Sequence, residues 1–110
     1  MKHILITIAA VLLVGCGEKT PNIWIAARDG NLEIVKKHII NGVDINAKDN
    51  EGDAPLHKAV ARGKEEIVKY LITNGASLNI KDNSGRTPLH WAAFAMRNNM
   101  CELLILNGVD

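Results

Sequence analysis

A shift of 33 residues lays this chain over itself without a gap. Residues 50–82 on 83–110 pair Gly52 with Gly85, Pro55 with Pro88, Leu56 with Leu89, His57 with His90, Ala59 with Ala92, and Asn74-Gly75 with Asn107-Gly108. The same step backwards pairs Ala26 with Ala59, Gly30 with Gly63, Ile34-Val35 with Ile67-Val68, Asn41-Gly42 with Asn74-Gly75, and Asn46 with Asn79. A constant period of this size predicts a solenoid, because a unit so short cannot bury its apolar face alone and must stack on its neighbours. With 110 residues in all, there is room for one such domain, and a large enzyme with separate cofactor and substrate domains is excluded.

The N-terminus is hydrophobic for a different reason. Eleven of the first 15 residues are apolar, against 47% for the whole chain. Lys2 is followed by Ile4 to Val14, in which Thr7 is the only polar residue, and then by Gly15-Cys16. An apolar stretch of about 11 residues is too short for a spanning helix, which needs about 20, and reads as a secretory signal over 1–15. Leu13-Val14-Gly15-Cys16 resembles the bacterial lipobox. That resemblance implies cleavage after Gly15, a diacylglyceryl thioether and an N-acyl group on Cys16, and a membrane tether over 16–20. Gly17, rather than Asp, follows the Cys, which favours the periplasmic face of the outer membrane in a Gram-negative cell. Without Lys2 the remaining 12 basic and 12 acidic side chains balance, so no net field draws nucleic acid or anionic lipid. A lipidated Cys16 leaves Cys101 without a disulfide partner, and its apolar surroundings predict a packing role.

Within the repeat, Thr87-Pro88-Leu89-His90-Trp91-Ala92-Ala93 resembles the ankyrin signature, and Ala54-Pro55-Leu56-His57-Lys58-Ala59 is a weaker copy. The resemblance implies an all-α solenoid of helix-turn-helix repeats with β-hairpin fingers over 21–110, divided as 21–48, an N-terminal cap, then 49–81 and 82–110. Local chemistry agrees. Thr87 suits an N-cap and Pro88 the first helical position. Alanines at 26, 27, 92 and 93 let inner helices approach, and Ile67, Val68, Leu71 and Ile72 form an apolar stripe on an outer helix. Asn-Gly ends each outer helix, Gly taking the left-handed conformation.

Departures from the pattern carry their own expectations. Ala54 stands where Thr87 does, so the second repeat loses about 1 kcal/mol of capping unless Asp53 substitutes. Met96 replaces the glycine of 30 and 63, and Asn98 suits the left-handed position there. Trp24 stands in the His57 and His90 slot, and Lys36-Lys37-His38 makes the first outer helix polar. Leu103 to Leu106 has no polar face, and the chain stops before the equivalent of 78–82. An incomplete array, or an open end covered by a partner, is expected.

Catalytic chemistry is sparse. His57 and His90 recur with the fold, and in the resembled family this His holds loops together. Stacked repeats stand about 10 Å apart, too far for two bonds of about 2 Å to one zinc. Asp44-Ile45-Asn46 lacks the ligand and Gly of a calcium loop, and Gly63-Lys64 lacks the glycine of a phosphate loop. No nucleophile motif occurs. The expectation is a non-enzyme without cofactor or metal, a protein partner, a membrane contact through lipid, and neither nucleic acid nor small-molecule substrate. The resemblance places partner contacts at Lys48, Asn50, Glu51, Asp53, Ala61 and Arg62, at Lys81, Asn83, Ser84, Arg86 and Phe94, and at Arg28 and Asp29. Trp91 either anchors a partner or packs within the stack. The function these features imply is a membrane-anchored lipoprotein that displays repeats as a protein-binding scaffold. An immunity protein or inhibitor of an envelope toxin or enzyme, and an accessory factor protecting a periplasmic enzyme, are the alternatives.

Overall fold

Six helices follow the period of the sequence. The computed structural model describes residues 21–108, so the signal segment and Cys16 lie outside the described residues. Inner helices are α1 (Ile23–Asp29), α3 (Pro55–Ala61) and α5 (Pro88–Phe94); outer helices are α2 (Leu32–Ile40), α4 (Glu65–Thr73) and α6 (Asn98–Leu106). Each inner helix packs against its own outer helix, α3 lies between α1 and α5, and α2 touches α4.

Helix starts differ in how they are capped. Asn22 Oδ1 accepts from Ile25 N at 2.8 Å, and Thr87 Oγ1 accepts from His90 N at 3.4 Å. Ala54 offers nothing, and Asp53 does not stand in, since its Oδ2 accepts from Lys58 Nζ instead. Half of the usual reciprocal arrangement survives, because His57 Nδ1 accepts from Ala54 N at 3.0 Å.

Two local expectations are corrected. The fingers contain no β-strand among the described residues. Each is a tight turn closed by one backbone bond across its base, from Asp49 N to Asp53 O at 3.0 Å and from Asp82 N to Arg86 O at 2.9 Å. The Asp side chains take two further amides in each turn: Asp49 Oδ1 accepts from Glu51 N and Asp53 N, and Asp82 Oδ1 from Ser84 N and Arg86 N, while Gly52 N and Gly85 N donate to the Asp49 and Asp82 carbonyls. Carboxylates that bind their own turn compete with a ladder. The third helix turn places Met96, not Asn98, in the left-handed region, at φ 55°. Asn98 is the first residue of α6. The turn keeps the geometry set by Gly30 and Gly63 at the same register, whatever residue occupies it.

The core runs along the stack. Ala26, Ala27, Ala59 and Ala92 are at most 1% exposed, which brings the inner helices together with little side chain between them. Outside them Val35, Ile67, Val68, Leu71, Met100 and Leu104 are buried, each contributing about 1.5–3 kcal/mol by leaving water. Ile72 and Cys101 are half-buried. The first outer helix buries Val35 alone, and the Lys36 ammonium lies 5.6 Å from the Tyr70 ring centre, so a polar helix still covers the stack. At the other end Ile105 and Leu106 are 58% and 82% exposed.

Two glycines in the same conformation should respond differently to alanine. Gly52 and Gly85 have φ of 80° and 78°, but a Cβ on Gly52 collides with the side chain and backbone N of Asn83, whereas one on Gly85 meets nothing within 4 Å. Gly85→Ala is expected to cost about 1 kcal/mol of backbone strain and Gly52→Ala at least twice that. Urea unfolding of both variants tests the contrast.

Candidate binding face

The turns stack in register. Lys48 Nζ donates to Lys81 O at 2.8 Å and Asn83 Nδ2 to Asn50 O at 3.2 Å, both spanning 33 residues. Asn83 N adds a bond to Glu51 O at 3.1 Å. Lys48, Asn50, Lys81, Asn83 and Ser84 are exposed, so they stand on the surface while their polar groups also tie one turn to the next.

Arg86 and Trp91 are organised by Asp82. Its Oδ2 accepts from Arg86 Nε and Trp91 Nε1, each at 3.2 Å, and the Arg86 guanidinium lies 4.7 Å from the Trp91 ring centre. Burial alone would raise the Asp82 carboxyl, but bonds from the Arg86 and Ser84 amides and the nearby charge hold it below its ordinary 3.8. Trp91 is half-buried against the core and also lines a cavity, so it packs and faces outward at once. Phe94 is 81% exposed, one turn further along α5.

That cavity, of about 160 Å³, is lined by Arg28, Glu51, Asp53, His57, Lys58, Ala61, Arg62 and Trp91. A second of similar size, bounded by Asn22, Trp24, Ile25, Arg28, Asp49 and Lys58, shares Arg28 and Lys58 with it. Together they form a groove along the second turn and the three inner helices, with Trp24 and Arg28 on α1, Lys58 and Ala61 on α3 and Trp91 on α5. It gathers Glu51, Asp53, Ala61, Arg62 and Trp91 but not Lys48, Asn50, Lys81, Asn83 or Ser84. Asp53, expected on the surface, is 2% exposed.

Lys58 is the residue that the repeat pattern did not mark. Its Nζ lies 3.0 Å from Asp53 Oδ2 and 3.3 Å from Asp49 Oδ2. Burial would lower its pKa, yet the two carboxylates raise it above 10.5. Asp49 moves the other way: burial would raise it, but the Asp53 and Glu51 amides and Lys58 keep it below 3.8. The signal in the sequence is that Lys58 occupies the Trp91 slot, with Asp53 in the Arg86 slot. The cation–aromatic pair of the third repeat is thereby replaced by an ion pair in the second.

The histidines bond as repeat elements. His57 Nδ1 accepts from Ala54 N, which leaves Nε2–H to donate to Arg86 O at 3.0 Å in the next repeat. Trp24 Nε1, in the same slot, donates within the first repeat to Ala47 O at 2.8 Å. His90 Nδ1 accepts from Thr87 N at 2.9 Å, with Thr87 Oγ1 at 2.8 Å. No three His, Cys, Asp or Glu side chains converge as a metal site among the described residues.

A family model described as ankyrin repeats, in three copies, matches residues 23–110. The chain is similar to an ankyrin repeat-containing protein of Schizosaccharomyces pombe, 52% identical over 44 residues, which is 40% of this chain and 21% of the relative. It is also similar to acyl-CoA-binding domain-containing protein 4 of Oryza sativa subsp. japonica, 45% identical over 42 residues, 38% of this chain and 12% of that one. A third likeness, to acyl-CoA-binding domain-containing protein 1 of Arabidopsis thaliana, is 51% over 37 residues, 34% of this chain and 11% of the relative. The chain thus spans between about a tenth and about a fifth of the length of these relatives.

Burial pushes the His57 imidazole below its ordinary 6.5, although the Arg86 carbonyl and the Asp53 and Asp82 charges pull it back. The unfolded chain therefore takes up a proton first as pH falls. Stability from this site is complete above 6.5 and is lost as pH drops from there towards the folded pKa. Asp49 and Asp82 add a second loss below 3.8. In thermal or urea unfolding, the stability difference between wild type and His57→Gln is expected to be largest at neutral pH and to shrink on acidification below 6.5.

Proposed function

The chain belongs to the ankyrin-repeat family, and on that footing we propose that it is a non-enzymatic scaffold that holds a protein partner on the groove and on the adjoining end of α5. The observation that carries this reading is Phe94, an aromatic side chain left 81% exposed beside an ordered Arg86–Trp91 pair. Exposed aromatics next to arginine supply a large share of interface energy, and a rigid scaffold presents them at little entropic cost. Trp91 and Arg86 are already immobilised by Asp82, so binding orders few further groups.

The scaffold is tethered to a membrane. No described helix is long and apolar enough to cross one, and the reading rests on Leu13-Val14-Gly15-Cys16 as the acylation motif. Acyl chains on Cys16 anchor the chain stably where one chain would be marginal. The five residues 16–20 extend to about 17 Å at most, which holds the repeats close to the bilayer. The periplasmic face of an outer membrane is the proposed location.

Affinity capture from membranes with quantitative mass spectrometry identifies the partner, and its affinity for the variants then tests the face. Phe94→Ala is expected to weaken binding about 30-fold without changing the unfolding midpoint, as for a central interface aromatic. Unchanged affinity would remove Phe94 as an anchor. Cys16→Ala is expected to abolish incorporation of labelled palmitate and to release the chain from the membrane fraction. Retained label would refute the anchor.

A further inference from the structure

The cavity beneath the second turn contains a carboxylate that the fold only half satisfies. Asp53 is 2% exposed; its Oδ2 accepts from Lys58 Nζ at 3.0 Å, while its Oδ1 accepts no hydrogen bond among the described residues. A buried carboxylate oxygen without a donor is unfavourable, and the repeat does not require an acid at this position. Arg86 stands there one repeat later and reaches Asp82 instead. Asp53 also leaves Ala54 uncapped, so it serves neither the helix nor the turn with that oxygen.

Unmet acceptors select the class of guest. Lys58 is shared between Asp49 and Asp53, Arg28 pairs with Asp29 at 3.0 Å, Asp82 and Arg86 neutralise each other, and Arg62 is the remaining cation. The lining itself carries two carboxylates, Glu51 and Asp53, and three cations, Arg28, Lys58 and Arg62, so the call for a donor is local to Asp53 Oδ1 and the exposed Glu51 and is not a net negative field. A volume of about 160 Å³ suits one side-chain head group.

We propose that this cavity receives an arginine of the protein partner, whose guanidinium donates to Asp53 Oδ1 and to Glu51 and lies along the Trp91 indole. The inference rests on the scaffold reading above and names the chemistry that the partner presents. Guanidinium fits better than ammonium. Its donors form a planar fork that serves two acceptors, it is weakly hydrated and enters a shielded site more readily, and it packs on aromatic walls. Torsion about the Asp53 Cβ–Cγ bond is soft, so a small turn presents Oδ1 to the guest. The surrounding cations, Arg28 and Arg62 above all, favour a partner whose arginine is flanked by acidic residues.

The test uses the full chain in detergent and three small probes: N-acetyl-arginine amide, the lysine counterpart, and the neutral citrulline counterpart. NMR follows the Trp91 indole N–H and the amides of 51–58. The arginine probe is expected to give saturable shifts with Kd of about 1–10 mM, a range reasonable for one side chain, and to bind at least about fivefold more tightly than the lysine probe. Citrulline is expected to give none. Asp53→Asn should weaken arginine binding about tenfold, and Glu51→Gln, at an exposed position, about threefold. If Asp53→Asn fails to fold, Glu51→Gln and the probe series decide alone. No saturable shift with arginine, an equal response to lysine or citrulline, or unchanged binding by Glu51→Gln overturns the proposal. A chain that ignores the arginine probe but still loses its partner on Phe94→Ala refutes the arginine site and leaves the scaffold standing.

Discussion

The imidazole of His57 joins the second repeat to the third, and much of the binding face depends on that joint. One ring nitrogen accepts from Ala54 N, the half of the capping box that survives; the other donates to Arg86 O and fixes the third turn. Fixing Arg86 positions its side chain on Asp82 and across Trp91, and Trp91 then forms a wall of the cavity. The same ring is 1% exposed because the third repeat covers it. His90, chemically identical and equally placed in its own repeat, is exposed because no further repeat lies over it among the described residues. Burial at this position, and the bond that Nε2 makes, are thus properties of the neighbouring unit.

Quasi-one-dimensional stacking explains why small changes stay local. Each unit contacts only its neighbours, so Met96 in a left-handed turn or a polar first outer helix perturbs one interface without redirecting the fold. Trp24 shows the same tolerance: its indole N–H finds Ala47 O, whereas His57 in the same slot one repeat later uses Arg86 O. The period survives changes of chemistry as long as a donor reaches a carbonyl beyond its own helix pair.

Much of this architecture was legible in the residues. Thr87-Pro88 announced a capped helix start, the alanines announced close inner helices, and Ile67, Val68 and Leu71 announced a buried stripe, because each is a local rule acting at helical spacing. The turn at Met96 was not, because Asn tolerates left-handed backbone better than Met and propensity alone favours Asn98. Register decided otherwise: the stack places Met96 where Gly30 and Gly63 sit. The fingers shortened to turns for a similar reason, since whether Asp49 and Asp82 bind their own amides or solvent depends on folded geometry.

The binding face divides along the same line. Periodicity and signature alone established a stacked helical solenoid and pointed to candidate residues around the turns, since those follow from spacing and side-chain type. Packing of one repeat on another decided which of those residues are free. It turned Lys48 and Asn83 into ties between turns, buried Asp53, drew Lys58 between two carboxylates and left Phe94 in solvent. The ties of Lys48 and Asn83 depend on distances between residues 33 apart in the chain, set by how closely the alanine faces of the inner helices meet, whereas the Lys58 cluster closes within its own repeat once the turn folds back on α3.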